Sequence, residues 1–341
     1  MVILMAIVII GVLVFFHELG HFLTAKASGM LVHEFALGMG PVLLSITRGD
    51  TKYSLRMLPI GGFLRVAGEE QEQGKVSIPD EQRYDKKAVW QRMIFVAGGS
   101  MMNFVLAALI FAVIFMAFGV PSSEPLIGSV TPSWPAADAG LAVGDRVVRI
   151  DGRDIANWSD LQKAIAGTTT DTIAVEILRG EQEMTLSIAP RVDEASGRRL
   201  VGVSPANVRH GPLKALYLGT RDMLWFTAEI IGVVGRMLTG RMPAEGAGPI
   251  GMVVMVGEVA RTGLANLLSF AAIISIQLGM FNLLPIPALD GSKLIFLAIE
   301  GLRGKPINPD KENMIHFIGF IMLMVLIVLI TYQDLQRLNI F

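Results

Sequence analysis

The hydrophobic pattern of this chain is dominated by long apolar runs. Residues 1–16 are wholly apolar or glycine, and apolar character resumes at Phe22 after a polar cluster at His17–His21. Residues 93–120 and 264–289 carry no charge, and 314–332 form a fourth run. A bilayer core needs roughly 20 apolar residues as a helix, so the last three runs qualify directly. The first also has the template of a signal peptide to contend with, because Ala25-Lys26-Ala27 resembles a small-residue cleavage site. No positive segment precedes it, however, and His17 and Glu18 interrupt it, so a membrane helix is the better reading.

A different pattern occupies the stretch between the second and third runs. Ile173, Val175 and Ile177 alternate on one face, and Met184, Leu186 and Ile188 repeat the alternation after Arg179-Gly180-Glu181. That period and turn predict a β-hairpin. Residues 146–150 read as a strand between glycine-containing turns, and Ser159 stands as N-cap of a short helix over 160–166. Residues 212–240 read as a helix with Lys214, Arg221, Asp222, Glu229 and Arg236 in one narrow stripe, as in a helix lying in a membrane interface. In the first loop, 32–37 and 53–57 read as strands followed by glycine-rich turns at Gly38-Met39-Gly40-Pro41 and Gly61-Gly62. Neither an internal repeat nor a low-complexity run is present.

The predicted organisation is thus a polytopic α-helical membrane protein of four transmembrane helices with a small inserted β-rich domain. The first helix occupies 1–28, a loop with candidate strands 29–92, the second helix 93–120 and the inserted domain 121–205. An amphipathic region follows at 206–263, then the third helix at 264–291, a loop at 292–313, and the fourth helix and tail at 314–341.

Composition agrees. Of 341 residues, 52% are hydrophobic and 17% charged, with a mean hydropathy of +0.55. A net charge of −1 provides no field for nucleic acid, and none is expected as a partner. Cysteine is absent, so disulfides and thiolate ligands are excluded and a transition metal must be held by His, Asp or Glu. Arg48, Lys52, Arg56, Arg65, Lys75, Arg83, Lys86, Lys87 and Arg92 gather in the first loop, and Lys293, Arg303, Lys305 and Lys311 in 292–313. The positive-inside rule makes those loops cytoplasmic and puts both chain ends and the inserted domain outside.

The chemistry is concentrated in His17-Glu18-Leu19-Gly20-His21. Helical i and i+4 positions share a face, so both imidazoles can grip one metal, and Glu18 beside them can act as a base toward water. Such groups at membrane depth cost several kcal/mol unless paired or coordinated. The best third ligand is Asp290, in Asn282-Leu283-Leu284-Pro285-Ile286-Pro287-Ala288-Leu289-Asp290-Gly291, where two prolines break a helix otherwise free of charge. His33, His210 and His316 have no metal-spaced partner and read as surface or core residues.

Two resemblances follow from these strings. Val130-Thr131-Pro132, Pro135 through Leu141, Gly144-Asp145-Arg146-Val147 and Asp151-Gly152 resemble the bacterial PDZ domain. That resemblance implies peptide binding by strand addition, with Leu126, Ile127, Gly128, Ser129 and Val130 as the groove strand. The HExxH string, the Asn-x-x-Pro-x-Pro-x-x-Asp-Gly string, Gly98-Gly99 with Asn103, Gly248-Pro249-Ile250 and the inserted domain together resemble the site-2 protease family, in its single-PDZ form, nearly end to end. This implies one catalytic zinc on His17, His21 and Asp290, Glu18 as base, Asn282 positioning substrate, and residues 32–64 receiving it as an extended segment. The implied reaction is hydrolysis of a peptide bond in or beside a transmembrane helix of a bacterial inner-membrane substrate, anti-sigma factors and signal-peptide remnants being the types. Two rival readings are a non-catalytic PDZ-bearing adaptor, which the intact HExxH and Asp290 disfavour, and a metal transporter, which gives no reason for Glu18 or a PDZ domain.

Overall fold

The computed structural model describes residues 1–69, 78–193, 197–243 and 248–337; Lys75, counted among the first-loop cations, lies outside them. In chain order, α1 (Val2–Ala27) is followed by β1 (Val32–Arg48), β2 (Thr51–Val66) and α2 (Val89–Ala117). Next come β3 (Val120–Pro121), β4 (Ile127–Val130), α3 (Pro135–Asp138), β5 (Arg146–Ile150), β6 (Arg153–Asp154) and α4 (Trp158–Ala166). Then follow β7 (Ile173–Arg179), β8 (Gln182–Ile188), β9 (Arg191–Val192), β10 (Arg199–Leu200), β11 (Val203–Pro205) and β12 (Asn207–Val208). The chain finishes with α5 (Pro212–Leu238), α6 (Pro249–Arg261), α7 (Leu264–Leu283), α8 (Asp290–Arg303) and α9 (Pro309–Arg337). Two compact units result, one of residues 1–112 with 216–341 and one of 113–215.

In the first unit, α1, α2, α7 and residues 310–337 of α9 are long and apolar enough to cross a membrane. Their outward faces expose Ile3, Leu4, Val8, Val105, Leu109, Val325 and Val328, side chains that suit lipid and not water. Their inward faces meet through small residues. A Cβ on Gly20 would stand 2.2 Å from the Gly98 carbonyl oxygen, and one on Gly279 would stand 2.9 Å from that of Ser100. Backbones this close gain their contact from packing and short polar links, such as Ser275 Oγ donating to the Asn103 carbonyl at 2.8 Å. Apolar layers seal both ends of this contact: Leu13, Leu106 and Ile274 at one level, and Ala25, Met30, Val66, Phe95 and Leu297 at the other.

α1 ends where Gly29 takes φ +66°, a left-handed stop that turns the chain into β1. The strands of the first loop are longer than their alternation suggests. The glycines expected to form turns lie inside the strands, where Gly38, Gly40 and Gly61 at φ +87°, +84° and +79° make bulges. These bends fold the antiparallel β1–β2 pair back on itself, so that Phe35 is paired both with Tyr53 and with Leu64. Buried Glu34 fastens the sheet by accepting from Ser54 Oγ at 2.6 Å and from Arg56 at 2.9 Å. Burial alone would raise its pKa, but these two bonds hold the carboxyl below its usual range.

The third apolar segment is interrupted where its two prolines fall. α7 stops at Leu283, and Asp290 begins α8 instead of closing the span. Two prolines remove backbone donors over this stretch, which is why no single helix can run through it.

The second unit is PDZ-like: a four-stranded sheet in the order β6-β5-β7-β8, a β4–β11 pair, and α4. Ile127, Val147, Leu161, Ile173, Val175, Ile177 and Ile188 form its core. The predicted hairpin is β7–β8, in register from Ile173↔Ile188 to Arg179↔Gln182. The cap of α4 is Asn157 and not Ser159: Asn157 Oδ1 accepts from Asp160 N at 3.0 Å, and the earlier start lets Trp158 pack on the core. Buried Asp145 accepts from Arg179 Nε at 2.7 Å and from Ala142 N at 2.8 Å. Burial would raise its pKa, but these bonds hold its carboxyl below the ordinary value.

Candidate metal centre

His17 and His21 lie one turn apart on the inward face of α1, with ring planes crossed at 86° and Nε2 atoms 3.2 Å apart. Asp290 Oδ2 is 3.2 Å from His17 Nε2 and 3.3 Å from His21 Nε2. Zinc holding such atoms at about 2.0–2.1 Å in a tetrahedron would space them about 3.3–3.4 Å apart. Asp290 Oδ2 is buried and accepts no hydrogen bond among the described residues. An unsatisfied carboxylate oxygen at the apex of two imidazole nitrogens is the environment a cation completes, so the donor set fits zinc.

Each imidazole is aimed by a neighbour. His21 Nδ1 lies 2.9 Å from the Phe95 carbonyl, so that nitrogen donates and Nε2 keeps its lone pair. Asn103 Nδ2 stands 3.1 Å from His17 Nδ1. A half-turn of that amide, which exchanges its nitrogen and oxygen in place, would set Oδ1 on the ring nitrogen and do for His17 what the carbonyl does for His21. Gly99 leaves the rings their room, because a Cβ there would be 2.3 Å from His21 Nε2 and 2.8 Å from His17 Cε1.

Asp290 reaches the histidines by a tight turn. Ile286 N donates to Leu284 O at 2.7 Å, Leu289 N donates to Ile286 O at 3.1 Å, and Ala288 adopts φ +76°. Left-handed backbone at a non-glycine costs about 1–3 kcal/mol and persists only where surroundings enforce it. Gly291 is obligatory for closure, since a Cβ would meet the Leu284 oxygen at 2.1 Å. One turn further on, Lys293 pairs with Glu69 at 2.8 Å. Burial disfavours the Lys293 ammonium, but the Glu69 charge outweighs it and raises the pKa above the ordinary lysine value.

Glu18 follows His17, and its Cγ would meet a Cβ on Gly62 at 3.0 Å. The β2 residues 62–65 pair on one side with 34–37. The Glu18 side chain therefore sits against a β-strand. Asn282, half-buried, occupies the last turn of α7.

The strand expected to line a groove has partners of its own. β4 is paired along one edge with β11 through Val130↔Val203, Ser129↔Ser204 and Ile127↔Pro205. On its other edge Leu126 bridges Arg146, and Ile127 N donates to the Asp145 carbonyl at 2.8 Å. Leu126 and Ile127 are thus interior to the sheet, and a Cβ on Gly128 would lie 2.3 Å from Pro205 O. Ser129 and Val130 have their partners on the β11 edge. The alternation was legible, but not which neighbours would fill its edges.

The roles of Asn103, the Phe95 carbonyl and Gly62 were not read from the sequence. Gly99 and Asn103 are four apart and so share a helical face, which was the available signal. The others depend on contacts between distant segments.

Four apolar helices around a buried His–His–Asp cluster with an adjacent glutamate define a membrane-embedded zinc metalloprotease. The model of Peptidase family M50 matches residues 5–326. The chain belongs to that family. It is 34% identical over 411 residues to "Regulator of sigma-W protease RasP" of Bacillus subtilis, covering 97% of each chain. It is 35% identical over 338 residues to "Putative zinc metalloprotease CPE1693" of Clostridium perfringens, covering 98% of each. Among solved structures it is similar to the PDZ domain of an SdrC-like protein from Listeria monocytogenes, with 23% identity and a TM-score of 0.22 over 25% of this chain and 90% of that one. This protein is accordingly a zinc-dependent intramembrane metalloprotease and an integral membrane protein.

Proposed function

We propose that His17, His21 and Asp290 hold the zinc, that Glu18 is the catalytic base, and that the substrate is cleaved within or beside its transmembrane helix after unwinding onto the sheet of the first loop. The observation that carries this is the near-equilateral triangle of Nε2, Nε2 and Oδ2 atoms, with its orphaned carboxylate oxygen. Zinc, when bound, supplies a Lewis acid that polarises the scissile carbonyl and activates water. Glu18 takes the proton of the attacking water and delivers it to the departing amide nitrogen. The Phe95 carbonyl and Asn103 keep the imidazoles in the tautomers that binding needs. Asn282 positions substrate from the end of α7.

A helical substrate has its backbone groups satisfied and must open before attack. The strand formed by 62–65, paired on one side with 34–37 and carrying Gly62 against Glu18, suits backbone pairing with an opened segment at the reacting position. His17–His21 lie 6–10 residues before the end of α1 at Ala27, about 9–15 Å along the helix. The cation-rich 29–92 loop follows that end, so cleavage falls toward the cytoplasmic face of the inner membrane, with the PDZ-like domain outside. That domain selects substrates by excluding bulky outer portions or by binding tails. The Bacillus subtilis relative is named for regulating sigma-W, and a membrane-anchored regulator of transcription is the substrate class we assign.

The test is hydrolysis of a transmembrane-helix substrate by the full chain in liposomes. Activity should require one zinc per chain, stop with chelator and return with zinc. Asp290→Ala should lower zinc content and activity together; unchanged metal occupancy would remove Asp290 from the ligand set. Cysteine labelling in this naturally cysteine-free background should reach 125–205 from outside and Lys86 or Lys305 only after permeabilisation; the reverse overturns the orientation.

A further inference from the structure

His316 lies 26 residues from Asp290 in sequence and has no part in the metal triangle, yet it is built into the turn that delivers Asp290. Its Nδ1 accepts from Ala288 N at 3.1 Å. Ala288 is the residue held at φ +76°. A backbone amide can only donate, so Nδ1 must be the unprotonated nitrogen of a neutral ring, with the proton on Nε2. Among the described residues Nε2 is buried without a hydrogen-bond partner, 3.9 Å from Glu312 Oε1. The ring also stands edge-on to Phe296 of α8, with centroids 5.7 Å apart and planes at 78°.

Gly319, three residues on, presses the same helix against the same turn. A Cβ there would stand 2.3 Å from Pro287 Cβ and 2.7 Å from the Pro287 carbonyl oxygen. α9 therefore touches the Pro287–Ala288 step twice, once by a hydrogen bond and once by bare backbone. Near its other end α9 is fastened separately, where Asp334 accepts from Gly248 N at 3.1 Å and from Gly251 N at 2.8 Å.

We infer that His316 is a positioning residue of the metal centre: by accepting from Ala288 it holds the left-handed turn that points Asp290 at His17 and His21. The inference rests on the ligand assignment above and adds a support from the fourth membrane helix. A left-handed alanine flanked by proline has little intrinsic reason to stay in place, and no other hydrogen bond to Ala288 N exists among the described residues. Without the acceptor the turn relaxes, and the carboxylate loses its registry with the imidazoles.

Three variants of the full-length protein test this. His316→Phe keeps a ring against Phe296 but lacks the acceptor; His316→Asn returns an acceptor oxygen near the Nδ1 position; Gly319→Ala pushes on Pro287 without touching His316. Two measurements are made on each: the rate of zinc loss to excess chelator, and amide exchange of the 284–291 segment against that of α2. His316→Phe should lose zinc about ten times faster than wild type, with faster exchange confined to 284–291 and kcat reduced at near-constant KM. His316→Asn should recover both readouts to within about twofold. Gly319→Ala should resemble His316→Phe. Wild-type zinc retention and exchange in His316→Phe overturn the inference, as does a His316→Asn protein no better than His316→Phe. Should wild type bind no zinc, the ligand assignment fails by itself, and the exchange measurement still decides whether His316 holds the turn.

Discussion

The membrane unit and the PDZ-like unit are built on opposite plans. In the second unit Ile127, Val147, Leu161 and Ile173 are inside, and the one buried charge named in its interior, Asp145, is matched by Arg179. In the first unit the closest contacts are made by glycines and by His17, His21, Ser100, Asn103 and Ser275, while Ile3, Leu4, Val8, Val105, Leu109, Val325 and Val328 face outward. Lipid is as apolar as leucine, so burying leucine between membrane helices gains little, and backbone proximity and polar links carry the specificity instead. The polar contacts then become available for chemistry. A catalytic centre can be set into such a bundle at the place where its helices are already closest.

The sharpest break between the two plans is chemical. Glu18→Gln should reduce proteolysis by about 10²–10⁴-fold while zinc still copurifies, as expected for loss of a general base. Substantial residual turnover of a membrane substrate would end that assignment.

Gly99→Ala tests whether bare backbone is part of the metal site. The added methyl needs space held by both imidazole rings, so the rings must turn aside, and zinc stoichiometry should fall well below one per chain with helical content unchanged. An alanine variant with full zinc would mean that the rings have freedom not evident in their packing. Asn103→Leu is milder. It removes the partner of His17 Nδ1 and should weaken zinc about 10–100-fold in competition with a chelator, leaving the ligands in place.

Removing the second unit should do less than any of these to the chemistry. β3 and β12 pair through Pro121↔Asn207 and Val120↔Val208, so its two ends already meet. Replacing 123–205 by a short linker should spare hydrolysis of small tail-less helices and admit some bulky proteins that the full chain excludes. Loss of minimal-substrate cleavage in a folded, zinc-loaded protein would make the domain part of the catalytic machinery.

The smallest effect concerns the buried pair of the second unit. Because the Asp145 carboxyl is held below its ordinary value, its stabilisation is complete above the unfolded pKa of about 3.9 and is lost as pH falls through the lower folded one. The Tm gap between wild type and Arg179→Gln should therefore be open at pH 7 and close below about pH 4. A gap that does not vary with pH would show that the pair contributes by packing alone.

Sequence by itself determined the spans, the inserted hairpin domain and the chemical types at the centre. Runs of uncharged residues have one solution in a bilayer, an i, i+4 histidine pair has one face, and alternation has one sheet period. What only the tertiary structure decided is which distant groups meet. Whether β4 was an edge or an interior strand depended on β11 and on residues 144–146, and whether the loop glycines were turns or bulges depended on how β1 and β2 paired. Asn103 meets His17, the Phe95 carbonyl meets His21 and His316 meets Ala288 because helix crossings bring single atoms within 3.1 Å of their partners. Local periodicity carries the face a residue occupies, but hydrogen-bond partners are selected by packing between segments that the periodicity does not relate.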